Sequence, residues 1–178
     1  LGDVYKRQFN HLSNVLDADD LVAVMDGDGQ MDPNDLIPLC HHLVAEQADV
    51  VKGDRLAHPD VKGVMPLLRR VANRGLAVLT TLASGRRLGD AQCGFIVVRH
   101  EVLTRTNDDP VWSGYGYVNH RFIRWSRHGF RVATHPVRPV YGEEISGIRP
   151  LRFFFSVGAM FVREHHGRAF SSLATGPG

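Results

Sequence analysis

Apolar and polar positions alternate along this chain in short blocks, and each block has a readable period. Phe9 to Leu16 has the spacing of a short helix, and Leu21 to Met25 is an apolar run of the kind that forms a buried strand. Asp32-Pro33 then reads as a helix start, with Asp32 as cap and Pro33 in the first turn, leading into Leu36, Leu39, Leu43 and Val44 on one face. Asp49 to Gly53 predicts a second strand, followed by a polar loop containing Pro59 and Gly63. A long helix is expected from about Pro66 to Ser84, closed by Gly85. Gln92 to Arg99 reads as a third strand and Glu101 to Arg105 as a helical turn. Tyr117 to His128 reads as a helix with Val118, Phe122 and Trp125 facing inward, and Arg131 to His135 as a fourth strand. Strands alternating with helices predict an α/β fold built on a largely parallel sheet covered on both faces. Pro150 to Arg163 is apolar on most of its surface with arginines at both ends, and the tail beyond it, rich in small residues from Ser171, is expected to be disordered. The first eight residues, Leu1 to Gln8, share no pattern with the rest of the chain; the expectation is that they are extraneous and that the chain lacks the opening βαβ portion of its sheet.

Size and charge narrow the function classes. At 178 residues and 43% hydrophobic content the chain has material for about one core. A formal net charge of +2 is too small for a general nucleic-acid binder. Of the 21 basic residues only Lys6, Lys52 and Lys62 are lysine. Arginine's planar fork suits diphosphates and phospholipid headgroups, although a GC-rich genome gives the same bias. Cys40 and Cys93 lack metal-type spacing and read as reduced thiols of a cytosolic protein. No apolar stretch approaches the roughly 20 residues that a membrane span requires.

The densest chemistry lies at Val24-Met-Asp26-Gly-Asp28-Gly-Gln30-Met-Asp-Pro33. A short buried strand that delivers two carboxylates and an amide to its carboxyl end fits a divalent cation bound to a nucleotide diphosphate. Hard oxygen ligands suit Mg²⁺ or Mn²⁺. A plain solvated turn and a calcium loop are the competing readings. With Gly29 at the glycine position of an EF-hand, Asp26 and Asp28 take the third and fifth ligand positions, but Val24 stands at the first and Asp35 at the last. The first ligand would be missing, and the flank is strand-like.

In order along the chain, these segments resemble glycosyltransferase family 2, most nearly the polyprenyl-phosphate sugar transferases. The resemblance covers roughly residues 10 to 152. Asp26, Asp28 and Gln30 resemble the family's metal motif. Val50-Val-Lys-Gly53-Asp54-Arg55 resembles its strand ending in Gly-Ser-Arg, whose arginine reaches the donor diphosphate. Asp90-Ala-Gln-Cys-Gly94-Phe95 resembles Asp-x-x-Ser-Gly-Phe, whose aspartate lies by the acceptor as a candidate general base. Tyr117 to Phe122 resembles the acceptor-side helix, and Tyr141 to Pro150, with Ser146, the loop that closes over the site. The Pro-x-x-Asn-Glu segment of the family is absent, Asp54 stands for serine, and Cys93 for Ser or Thr.

The resemblance implies a GT-A fold, with residues 9–149 as the carboxyl-terminal part of its catalytic domain, residues 150–164 a terminal helix and 165–178 the tail. It implies metal-dependent, inverting transfer of a sugar from a nucleotide-diphosphate donor to a polyprenyl phosphate, at the cytoplasmic face of a membrane. A saccharide acceptor, or a non-catalytic fragment, are the alternatives. For Arg55 the other reading is a cap or surface ion pair, for Arg69 and Arg70 phosphate contact or plain solvation, and for Asp90 a turn residue. His120 reads as a structural hydrogen-bonding residue or an acceptor contact, and Arg121 as an acceptor-phosphate ligand. The His41-His42 and His165-His166 pairs read as solvated. The apolar segment ending at Arg163 suits either a bilayer surface or packing against protein.

Overall fold

A computed structural model describes residues 2–110, 112, 116–140 and 156–164. Its elements are α1 (Gly2–Val15), β1 (Leu21–Val24), α2 (Leu36–Ala45), β2 (Val50–Asp54), α3 (Val61–Val64), α4 (Leu67–Ser84), β3 (Ile96–Arg99), α5 (His100–Arg105), α6 (Tyr117–Arg127) and β4 (Val132–Pro136). Single 3₁₀ turns at Pro33–Asp35 and Arg55–Ala57 precede α2 and follow β2, and residues 156–164 are helical. Gly2 to Gln8 continue the first helix beyond the Phe9–Leu16 expected from spacing. The loop around Pro59 and Gly63 contains the single turn of α3, which no periodic signal announced.

The four strands form one mixed sheet in the order β1-β3-β2-β4. β2 and β4 pair in parallel, Val50 opposite Val132 through Asp54 opposite Pro136. β3 runs antiparallel to both of its neighbours, with Ile96 facing Val24 on one side and Lys52 on the other. The largely parallel sheet expected from strand and helix alternation is therefore corrected. The chain leaving α4 reaches the sheet at the carboxyl ends of β1 and β2, so β3 must run back along them. It also starts at Ile96 rather than Gln92, because the Asp90 carboxylate accepts the backbone N–H groups of Gln92 (2.9 Å) and Cys93 (3.1 Å) and curls the chain there.

Period-two alternation builds the core on both faces of this sheet. Val22, Val50 and Val98 pack with Phe9 of α1, Val102 and Leu103 of α5 and Trp125 of α6. Val51, Val97 and Phe95 turn the other way, onto Leu39 and Leu43 of α2. Each such fully buried valine or leucine contributes about 1.5–3 kcal/mol. Val44, expected on the same face of α2, is instead 59% exposed. A third cluster joins Leu76 and Ala77 of α4 to Phe122 and Ile123 of α6 and to Val157 and Met160. The apolar segment read as suiting either a bilayer surface or packing against protein turns Val157 and Met160 into protein and leaves Val162 59% exposed. Helix limits depend on local chemistry. Asp32 caps the Pro33 turn by accepting the Asn34 N–H at 2.9 Å, and Gly85, at φ 73°, ends α4 in a left-handed cap.

Candidate active site

Because β3 reverses, the segment from Asp90 to Phe95 lies across the carboxyl ends of β1 and β2. Three stretches distant in sequence therefore meet. The Asp26 carboxylate lies against the bare Cα of Gly94, where an added methyl would overlap Oδ2 and press on the Met31 side chain. Met31 in turn bridges antiparallel to Pro139, tying the loop after β1 to the chain after β4. Within that loop the exposed Asp28 accepts the backbone N–H of Gln30 at 3.0 Å, and Gly29, at φ 76°, makes the turn. Asp26 and Gln30 are half-buried.

The second meeting point is Asp90 itself, which is fully buried. Arg55 donates to it through Nε (2.8 Å to Oδ2), Nη2 (3.2 Å to Oδ1) and its backbone N–H (3.2 Å). Asn73, on the inner face of α4, donates from Nδ2 at 2.6 Å and accepts the Ala91 N–H with its Oδ1 at 3.0 Å. Lys52, 1% exposed, donates from Nζ to the carbonyl oxygens of Asp90 (2.9 Å) and Cys93. Burial alone would raise the Asp90 carboxyl, but the Arg55 charge and hydrogen bonds outweigh it and hold its pKa at about 2. Burial pushes the Lys52 ammonium below its usual range. Asp54, whose Oδ1 caps the turn at Ala57 N–H (3.0 Å), is pushed up by burial and then by its neighbour Asp90. Gly89 is side-chain-free because a methyl there would overlap the Asp54 carboxylate.

Arg69 is exposed and Arg70 half-buried in the first turn of α4, the helix that reaches Asp90 through Asn73. His120 is 4% exposed, and its Nε2 lies 3.2 Å from Oε1 of Glu164, which also pairs with Arg127. Arg121 is buried, with its guanidinium carbon 4.5 Å from the centre of the Phe9 ring and 6.0 Å from that of Trp125. Ser146 and the closing loop lie outside the described residues. Lys52, Asn73 and Glu164 were not foreseen as part of any polar centre. Their signal is a partner many residues away, which no local spacing carries. The same holds for Asp109, which takes a bidentate bond from Arg124 (2.9 and 3.2 Å) and contacts Nε2 of His128 at 3.0 Å.

Oxygen donors such as those of Asp26, Asp28 and Gln30 are of the hard type that suits Mg²⁺ or Mn²⁺, and the bare Cα of Gly94 is what admits the Asp26 carboxylate beside the 90–94 segment. Among the described residues no three His, Cys, Asp or Glu side chains form a metal-binding group by themselves. Gln30 and the ligand's own oxygens would complete the shell.

Comparison with known proteins bears on the same segments. The chain is 26% identical over 123 residues to an uncharacterised protein of Methanocaldococcus jannaschii, covering 69% of this chain and 51% of that one. It is 24% identical over 124 residues to the UDP-N-acetylglucosamine–dolichyl-phosphate N-acetylglucosaminyltransferase of Methanococcus voltae, covering 70% of this chain and 49% of the relative. The chain thus spans about half the length of these curated relatives. Residues 7–106, more than half of the chain and carrying both motif loops, match the sequence pattern of glycosyl transferase family 2, a family whose domains have a GT-A-like α/β fold, and the chain belongs to that family.

Proposed function

We propose that this chain is the catalytic part of an inverting, metal-dependent glycosyltransferase that moves a sugar from a nucleotide-diphosphate donor to a polyprenyl (dolichyl or undecaprenyl) phosphate, working at the inner face of a membrane. The observation that carries the reading is the meeting of the Asp26–Gln30 loop, the end of β2 and the 90–94 segment at one edge of the sheet. The named acceptor of the Methanococcus voltae relative supports the choice of a lipid phosphate.

In this proposal Asp26, Asp28 and Gln30 hold Mg²⁺ or Mn²⁺. The cation, when bound, neutralises the charge that builds on the departing diphosphate. The Arg55–Asp90 pair keeps the end of β2 and the 90–94 segment in register with β1. A carboxylate held at a pKa of about 2 and already accepting from Arg55 and Asn73 is a weak base. An acceptor phosphate oxygen is already anionic and needs little deprotonation, so Asp90 serves the reaction by position. Arg69 and Arg70 supply cationic charge for phosphate. His120 and Arg121 anchor α6 through Glu164 and Phe9, and Ser146 belongs to the loop that would close over the site.

The test incubates full-length protein with Mn²⁺, labelled polyprenyl phosphate and a panel of nucleotide sugars. A labelled sugar in the lipid extract is expected with one donor. Asp28→Ala should lower the rate by roughly 100-fold. Gly94→Ala should raise the Mn²⁺ concentration needed for half-maximal rate, because its methyl displaces the Asp26 carboxylate. Absence of lipid product with every donor refutes the reading, and product on a saccharide instead moves the acceptor.

A further inference from the structure

Helix α4 buries one side and leaves a second, apolar side exposed. Its buried side is formed by Asn73, Leu76, Ala77, Thr80 and Ser84. At 100° per residue these positions centre on one direction, and Leu67, Leu68, Val71, Val78, Leu79 and Leu82 centre on the reverse. The second set is between 49% and 82% exposed. Scattered exposed leucines are ordinary, but a stripe running the whole length of an 18-residue helix, about 27 Å, marks a contact surface.

The charge around the stripe selects the occupant. From Val61 to Gly89 there is no aspartate or glutamate, while Lys62, Arg69, Arg70, Arg74, Arg86 and Arg87 supply six cations. A symmetric contact with a second copy would set this cationic segment against itself, with no acidic side chain within it to answer. An anionic lipid surface answers both features at once, accepting the leucines below the headgroups and Arg74, Arg86 and Arg87 among the phosphates, while Arg69 and Arg70 lie toward the buried side of the helix. No described helix is long and apolar enough to cross a bilayer, so the contact lies along the surface.

We propose that α4 is an interfacial helix that seats this domain on an anionic bilayer through Leu67, Leu68, Val71, Val78, Leu79 and Leu82. The choice of a bilayer over a soluble partner rests partly on the lipid-phosphate acceptor proposed above. The same helix holds Asp90 with Asn73 at 2.6 Å from its other side, so the motif edge of the sheet lies one helix diameter from the headgroups.

Co-sedimentation of the full chain with vesicles tests this. Binding is expected to phosphatidylglycerol/phosphatidylcholine vesicles, to weaken with salt, and to be slight on phosphatidylcholine alone. Leu68→Gln combined with Leu82→Gln should cut partition at least tenfold with an unchanged melting temperature, since both side chains are exposed. Arg74→Gln should weaken it about fivefold. Wild-type protein that ignores the anionic vesicles, or a double variant that binds them equally, overturns the proposal. So does a solution dimer that the leucine substitutions dissociate. Vesicle binding without sugar transfer would leave this surface standing and remove the transferase reading. Transfer to detergent-dispersed acceptor without vesicle binding would do the reverse.

Discussion

At the scale of single residues, the centre of gravity is the Arg55–Asp90 pair. Removing one member of a buried, hydrogen-bonded ion pair strands the other charge and costs roughly 3–5 kcal/mol. Asp90→Leu is therefore expected to lower the urea midpoint sharply. Asp90→Leu with Arg55→Leu should be less destabilised than the sum of the two single changes, and an additive result would show that the pair is not coupled. Both residues were legible in the sequence as parts of separate motifs, but their bond to each other was not. Lys52 is the sharper case. Nothing in the sequence around Lys52 signals burial, yet it is sealed in because carbonyl oxygens 38 and 41 residues away accept its ammonium protons. Asp26, Asp28 and Gln30 stood out in the sequence because three hard donors come directly after one strand.

Among the elements, those bounded by strong local signals were readable. β1, β2 and α4 fall within a residue or two of their expected limits, since Pro66 and Gly85 punctuate α4 and apolar runs define the strands. The direction of β3 was not readable, because strand residues specify faces and not polarity. The Asx-type curl that delays its start depends on a carboxylate whose own position Arg55 and Asn73 hold. Gly85→Ala probes the one cap that requires a left-handed residue. It is expected to cost about 1 kcal/mol, and an unchanged urea midpoint would show that the φ of 73° is not held in solution. Leu39→Ala on the buried side of α2 should cost roughly 2–5 kcal/mol, and Val44→Ala on its exposed side should cost far less.

The whole molecule carries its acid response in a few carboxylates. Asp90 is held at about 2. Glu164 is lowered by its His120 hydrogen bond, and Asp109 is lowered because bonds from Arg124 and His128 outweigh its burial. Each has a folded pKa below its unfolded one, so the unfolded chain takes up protons first as pH falls. Their contribution is complete above about pH 5, beyond the unfolded carboxylate range, and is lost on the way to about pH 2 for Asp90. Asp54 is raised and acts with the opposite sign, gaining as acid relieves it, but it is one group against three. Urea midpoints should fall steadily between about pH 5 and about pH 2.5, and a flat profile would contradict this balance. Lys52 also offers a clock for the motif edge. Of the three lysines, Lys62 is exposed, Lys6 half-buried and Lys52 sealed. An amine-acylating reagent will mark Lys62 in every molecule but Lys52 only in those whose 90–94 segment has lifted away. The mass-spectrometric labelling rate of that one amine therefore times how often the motif edge breathes open.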